Sequence, residues 1–129
     1  MSIETMIVGS GIDICENWRI RKLLNKHGDR FLNRVFIPDE IEYCMKKKDP
    51  VPSLAARFSV KEAFIKALGI RRTLSLSYKD IGLSGSVGKK NIIIVGKVHD
   101  LMQQKKVVNV QFSISHAKDY SCAVVILEA

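Results

Sequence analysis

Residues 53–69, SLAARFSVKEAFIKALG, constrain the chain more than any other stretch, because they are too apolar for a surface helix and yet carry ordered charge. Ser53, following Pro52, suits an N-cap, and Gly69 stands where a left-handed stop is usual. At about 100° per residue, Leu54, Phe58, Ile65 and Leu68 form one stripe, and Ala56, Val60, Phe64 and Ala67 extend the apolar surface. Two narrow polar seams remain, Ser59, Glu62 and Lys66 on one and Arg57 with Lys61 on the other, spaced to stack one turn apart. Charges on a mostly buried helix need partners. Two readings fit: an internal Glu62–Lys66 pair with Arg57 and Lys61 snorkelling outward, or a carboxylate and several cations converging on a metal and a phosphorylated ligand.

A second acid is out of place near the start of the chain. In MIVGSGIDI, residues 6–14, β-branched residues on both sides predict a strand, and Asp13 sits between two isoleucines. If Ile12 and Ile14 face a core, Asp13 points to the opposite face and is simply solvated. Gly9 and Gly11 weigh against that, since glycines beside a strand acid allow close approach of another backbone or a ligand. They do not form a dinucleotide fingerprint, because Ile14 stands where G-x-G-x-x-G requires its third glycine.

The remaining pattern predicts an α+β fold, a small, mainly antiparallel sheet packed by helices. A basic helix over residues 16–26 stops at His27-Gly28, a short turn follows at 29–35, and Pro38 opens a helix to about 47. Residues 46–52 read as a charged loop and 70–78 as an irregular connection. Strand candidates at 80–84 and 91–95 flank a turn, residues 98–106 read as a helix, and strands at 107–115 and 120–127 meet through residues 116–119. In the first of that last pair, Val108, Val110, Phe112 and Ile114 share one face.

Composition sets limits without naming a function. The chain has 129 residues, 47% of them hydrophobic, which suits a single domain, residues 1–129, with a modest core that oligomerisation would assist. No apolar run approaches about 20 residues and the N-terminus lacks a secretory pattern, so a cytoplasmic protein is expected. Cys15, Cys44 and Cys122 are odd in number and far apart, fitting neither a disulfide framework nor zinc-ligand spacing. The net charge of +8 predicts an anionic partner. A nucleic-acid-binding module is one alternative, but Lys46–Lys48, Arg71-Arg72, Lys89-Lys90 and Lys105-Lys106 are scattered and lack interleaved aromatics. The first helix is more suggestive: Arg19, Arg21, Lys22 and Lys26 surround Leu23, a basic face with apolar anchors suited to an acidic amphipathic helix, or an ordinary surface helix.

Five ordered blocks resemble the holo-acyl-carrier-protein synthase family, the small phosphopantetheinyl transferases. Gly11-Ile-Asp-Ile14 with Glu16 and Arg19 looks like its G-[IL]-D-[IL]-x-E-x-x-R opening, and Arg30-Phe31, Arg34 and Glu40–Cys44 look like its R-F-x-x-R-x-x-x-x-x-E segment. The central AARFSVKEAFIKAL is similar to A-x-R-[FW]-[AS]-x-K-E-A-x-x-K-A, its most specific signature. Asp80-Ile81 and FSISH, ending at His116, with Tyr120 and residues 123–126, resemble the remaining blocks.

The resemblance implies a phosphopantetheinyl transferase-like fold, a homotrimer with active sites at subunit interfaces, and magnesium-dependent transfer of phosphopantetheine from coenzyme A to a serine of an acyl carrier protein for fatty acid biosynthesis. It implies Asp13 and Glu62 as magnesium ligands, a set suited to an ion that favours a few carboxylates, phosphate oxygens and water. Glu62, or a metal-bound water that it orients, becomes the base, and Lys66, one turn on, meets a phosphate or the developing charge. Arg57, Lys61, Lys66 and His116 become coenzyme A contacts, and Arg19, Arg21, Lys22, Leu23 and Lys26 the docking face for the acidic carrier helix. A non-catalytic scaffold that only docks carriers through that helix is a further alternative. The chain departs from the family where G-T-G-x is usual, having Gly69-Ile-Arg-Arg-Thr73, and where G-K-P is usual, having Gly88-Lys-Lys-Asn91. The first departure leaves open how that loop meets the coenzyme.

Overall fold

The computed structural model describes residues 4–70, 76–86 and 88–129. The chain runs β1 (Ile7–Glu16), α1 (Asn17–His27), α2 (Asp29–Val35), α3 (Pro38–Met45) and α4 (Val51–Leu68), then a 3₁₀ turn (Tyr78–Asp80), β2 (Ile81–Ser86), β3 (Lys89–Ile94), α5 (Gly96–Gln104), β4 (Asn109–His116) and β5 (Tyr120–Glu128). β1, β5 and β4 form one antiparallel sheet in that order, and β2 and β3 form a separate antiparallel hairpin. The expected α+β architecture is what forms. The five residues 71–75, which carry most of the departure from the family pattern, lie outside the described residues.

Helix α4 organises everything else. Its N-terminal half, with Val51, Leu54 and Ala55, is buried against Ile20, Phe31, Phe36 and Cys44 of the helical half. Its C-terminal half, with Val60, Phe64 and Leu68, is buried among Ile81, Leu83, Val125 and Leu127 of the strands. Each fully buried Leu or Phe of this kind contributes about 1.5–3 kcal/mol. The helix stops where the sequence says, at Gly69 with φ 68°. Its start differs from expectation: Ser53 is a buried residue of the first turn and not the cap, and the helix opens at Val51, whose amide donates to Asp49 Oδ1 at 3.2 Å. Proline at the second position is tolerated there because it has no amide to leave unsatisfied. The charged loop accordingly ends at residue 50.

The orientation of β1 also corrects one reading. Ile12 and Ile14 do not face the core; each is 69% exposed on the sheet face turned away from α4. From Gly9 onward the odd-numbered residues face the helix, which places Asp13 between Gly11 and Cys15 on the packed side. The two glycines make this possible. A Cβ on Gly9 would stand 2.0 Å from Ala67 O, and one on Gly11 would stand 1.9 Å from Ala63 O. Strand and helix backbones therefore touch, with alanines on the helix and glycines on the strand.

Candidate functional site

Because Gly11 lies against Ala63, the next inward-facing residue of β1, Asp13, falls beside the middle of α4. A cleft of about 330 Å³ opens there, and Asp13, Arg19, Leu23, Phe58, Glu62 and Tyr78 are among its lining residues. The two carboxylates singled out from sequence thus share one cavity, although they stand 49 positions apart in the chain. Lys66 Nζ donates to Asp13 Oδ1 at 3.1 Å and to Ile12 O at 3.0 Å, and the lysine side chain remains 53% exposed. On the other wall, Tyr78 Oη donates to Glu62 Oε1 at 2.8 Å, and the Tyr78 ring packs on Phe58 with centroids 5.4 Å apart.

Helix α1 forms the lip of this cleft. Asn17 anchors its start: its Nδ2 donates to Ala117 O at 2.8 Å and Lys118 O at 3.1 Å, and its Oδ1 accepts from Ser121 Oγ at 2.7 Å. With that end tied to the β4–β5 connection, Arg19 and Leu23 point into the cleft. Arg21, Lys22 and Lys26 fall on the adjoining surface, lining a shallow groove of about 510 Å³ with Trp18 and Asn25. Arg21 also bonds Asp49 Oδ2 at 2.8 Å, both side chains being half exposed. That contact raises the Arg21 pKa and lowers that of Asp49.

The seam of Arg57 and Lys61 turns inward, which the sequence reading did not foresee. Lys61 is wholly buried, and its ammonium donates to Glu40 Oε1 at 2.7 Å, to Tyr78 O at 3.1 Å and to Ile81 O. Burial pulls its pKa below the ordinary lysine value, partly offset by the Glu40 carboxylate. All three of its donors are taken, so Lys61 is a structural cation and the expectation that it contacts coenzyme A is corrected. Glu40 is equally occupied, accepting also from Ile37 N at 3.0 Å and Leu83 N at 3.2 Å.

Arg57 is buried as well. It stacks over the Tyr43 ring at 4.5 Å and donates through Nη1 to Ser53 O at 3.3 Å. Its buried Nε has no hydrogen-bond partner among the described residues. His116, at the end of β4, lies in the field of Arg57, Lys47 and Lys90. Partial burial first, and then those three cations, lower its pKa. Arg57, Lys66 and His116 are all absent from the lining of the Asp13–Glu62 cleft, but Lys66 is joined to it by its bond to Asp13, so the expected coenzyme contacts fall into two groups: Lys66 with the carboxylates, and Arg57 with His116.

The cleft fits a hard divalent cation by its donor chemistry. Among the described residues there is no group of three or more His, Cys, Asp or Glu placed to hold a metal, whereas Asp13 and Glu62 are two carboxylates in one cavity beside a lysine. Such a set suits Mg²⁺, which takes one or two carboxylates and fills its remaining positions with phosphate oxygens and water. Cys15 also lines the cleft, and burial raises its thiol pKa. Cys15 and Cys44 are buried, and desolvation pushes the Cys44 thiol up to about 11.

Sequence reading missed Tyr78, placing it at the end of an irregular connection. The available signal was an aromatic residue two positions before Asp80, at the edge of a matched block. It also missed Lys47 and Lys90 as neighbours of His116, since each resembled a solvated turn.

Comparison with known proteins shows the family and the fold. The model of the 4'-phosphopantetheinyl transferase superfamily matches residues 9–125. A holo-[acyl-carrier-protein] synthase of Leptospira biflexa is 53% identical over 117 residues, covering 90% of this chain and 92% of the relative. The crystal structure of the Neisseria meningitidis holo-[acyl-carrier-protein] synthase superposes with a TM-score of 0.84 at 32% identity, covering 96% of this chain and all of the other. That of Helicobacter pylori, solved in complex with coenzyme A, gives 0.76 at 33% identity, covering 92% of this chain and 98% of the other.

Proposed function

Because the chain belongs to the 4'-phosphopantetheinyl transferase superfamily, we propose that it moves the 4'-phosphopantetheine arm of coenzyme A onto a serine of an apo-acyl carrier protein, with Mg²⁺, in the cytoplasm, supplying holo-carrier for fatty acid synthesis. The serine oxygen bonds to the phosphorus that bears the arm, the pyrophosphate P–O bond breaks, adenosine 3',5'-bisphosphate leaves, and the serine proton is taken up at the site. The observation that carries this reading is that Asp13 and Glu62 line one cleft beside the basic helix α1, with Lys66 bonded to Asp13.

Each residue then has a task. Asp13 and Glu62 hold the metal, and Glu62 or a water that it orients accepts the serine proton. Bound there, Mg²⁺ would neutralise the pyrophosphate and the developing charge on the leaving group. Lys66, already bonded to Asp13, offers its exposed ammonium to the phosphates. Arg19 and Leu23 at the lip, with Arg21, Lys22 and Lys26 on the adjoining groove, receive the acidic helix of the carrier.

Arg57 and His116 hold the remaining phosphates of coenzyme A. The buried Arg57 Nε, without a hydrogen-bond partner among the described residues, and the cations around His116 support an anion at that place. A site shared between subunits of a homotrimer would unite the two groups of residues. Support for self-association comes from the sheet face away from α4, where Val8, Ile12 and Ile14 are exposed beside Val124 and Ile126 of β5. On this reading the chain works as one domain spanning residues 1–129.

The test is incubation with apo-acyl carrier protein, coenzyme A and Mg²⁺, followed by intact-mass measurement. The carrier gains one phosphopantetheine group. An unmodified carrier under those conditions contradicts the assignment.

A further inference from the structure

Tyr78 is held at both ends by consecutive residues of α4. Its backbone carbonyl accepts from Lys61 Nζ at 3.1 Å, and its hydroxyl donates to Glu62 Oε1 at 2.8 Å. Lys61 is itself fixed, because the wholly buried Glu40 carboxylate bonds it at 2.7 Å and also receives the amides of Ile37 and Leu83. The Tyr78 ring cannot swing freely either, since it packs on Phe58 one helical turn before Glu62. A hydroxyl anchored in this way holds the carboxylate it bonds, and it does so from the wall of the same cleft that Asp13 lines.

We propose that Tyr78 is a positioning residue that fixes the Glu62 carboxylate for cation binding, with the buried Glu40–Lys61 pair as its anchor. The proposal rests on the reading of Glu62 as a metal ligand. A carboxylate already oriented by a hydroxyl loses less freedom when the cation binds. A phenolic O–H bonded to a carboxylate is also a strong, charge-assisted contact. Removing an outer partner of this kind commonly weakens metal affinity by about 10- to 100-fold.

The test compares wild type, Y78F and E62Q, with Mn²⁺ as the probe. Y78F keeps the ring against Phe58 and removes only the hydroxyl; its melting temperature, measured alongside, stays near that of wild type. Mn²⁺ affinity is read from water proton relaxation in the presence of coenzyme A and without carrier protein, so no turnover is needed. The expected result is a roughly 10-fold or greater loss of Mn²⁺ affinity in Y78F, with turnover recovering as Mg²⁺ is raised. Wild-type Mn²⁺ affinity in Y78F alongside a loss in E62Q overturns the role of Tyr78, as does a turnover defect that Mg²⁺ does not rescue. Wild-type affinity in E62Q instead overturns the reading of Glu62 on which the proposal rests.

Discussion

Two lysine–carboxylate contacts on helix α4, five residues apart, have opposite characters. Lys61 and Glu40 meet at 2.7 Å with no exposed side-chain surface. Lys66 and Asp13 meet at 3.1 Å with side-chain exposures of 53% and 15%. The buried pair spends every donor on its own fold, joining α3, α4 and the turn before β2, and has nothing left for a ligand. The open pair leaves part of an ammonium facing solvent beside a second carboxylate. The same chemistry is therefore structural in one place and available for reaction in the other, and burial decides which.

The sharpest way to break this contrast is to remove the buried carboxylate. Glu40→Ala leaves the Lys61 charge uncompensated and two amides unpaired, and should destabilise the protein by about 3–5 kcal/mol in urea denaturation. A change under about 1 kcal/mol would mean that Lys61 finds water or another partner and is not sealed. Next comes Gly11→Ala, whose methyl would meet the Ala63 carbonyl. A cost of about 1–3 kcal/mol is expected, together with lost turnover because Asp13 is displaced from α4 while Glu40–Lys61 is left intact.

Lys66→Ala addresses the open pair directly. Stability should change by less than about 1 kcal/mol, since the Lys66 side chain is half exposed, while carrier modification slows by roughly 10-fold or more. A loss of stability without loss of turnover would reverse the roles assigned to the two lysines. The smallest effect concerns His116, which lies in the field of Lys47, Arg57 and Lys90. Its folded-state pKa lies below 6.5, so the neutral form is favoured and the folded state loses stability as pH falls from about 6.5 towards that lowered value. Thermal melts between pH 7 and 5 should show this loss shrinking in His116→Gln.

Much of this was legible in the sequence because it depends on local pattern. The central helix, its glycine stop and the two isolated acids each declare themselves through spacing or through a residue type at odds with its surroundings. Gly9 and Gly11 signalled a close approach, which turned out to be the backbone of α4. What was not legible depends on partners distant in the chain. Arg57 and Lys61 occupy one seam of the helix, but whether that seam meets water or Glu40, 21 residues earlier, is a tertiary fact. The faces of β1 were ambiguous for a related reason, since an alternating pattern of isoleucines and glycines packs its glycines inward when a helix presses close. Tyr78 was invisible because its role needs Lys61 and Glu62 to be placed first.

The central claim is that Asp13 and Glu62 act as one unit, and a double-mutant cycle on carrier modification tests it. Asp13→Asn and Glu62→Gln should each lower kcat/KM by at least about 100-fold, and the double variant should fall no further than the worse single one. Two losses that multiply in the double variant would show that the carboxylates act independently, and would contradict the account.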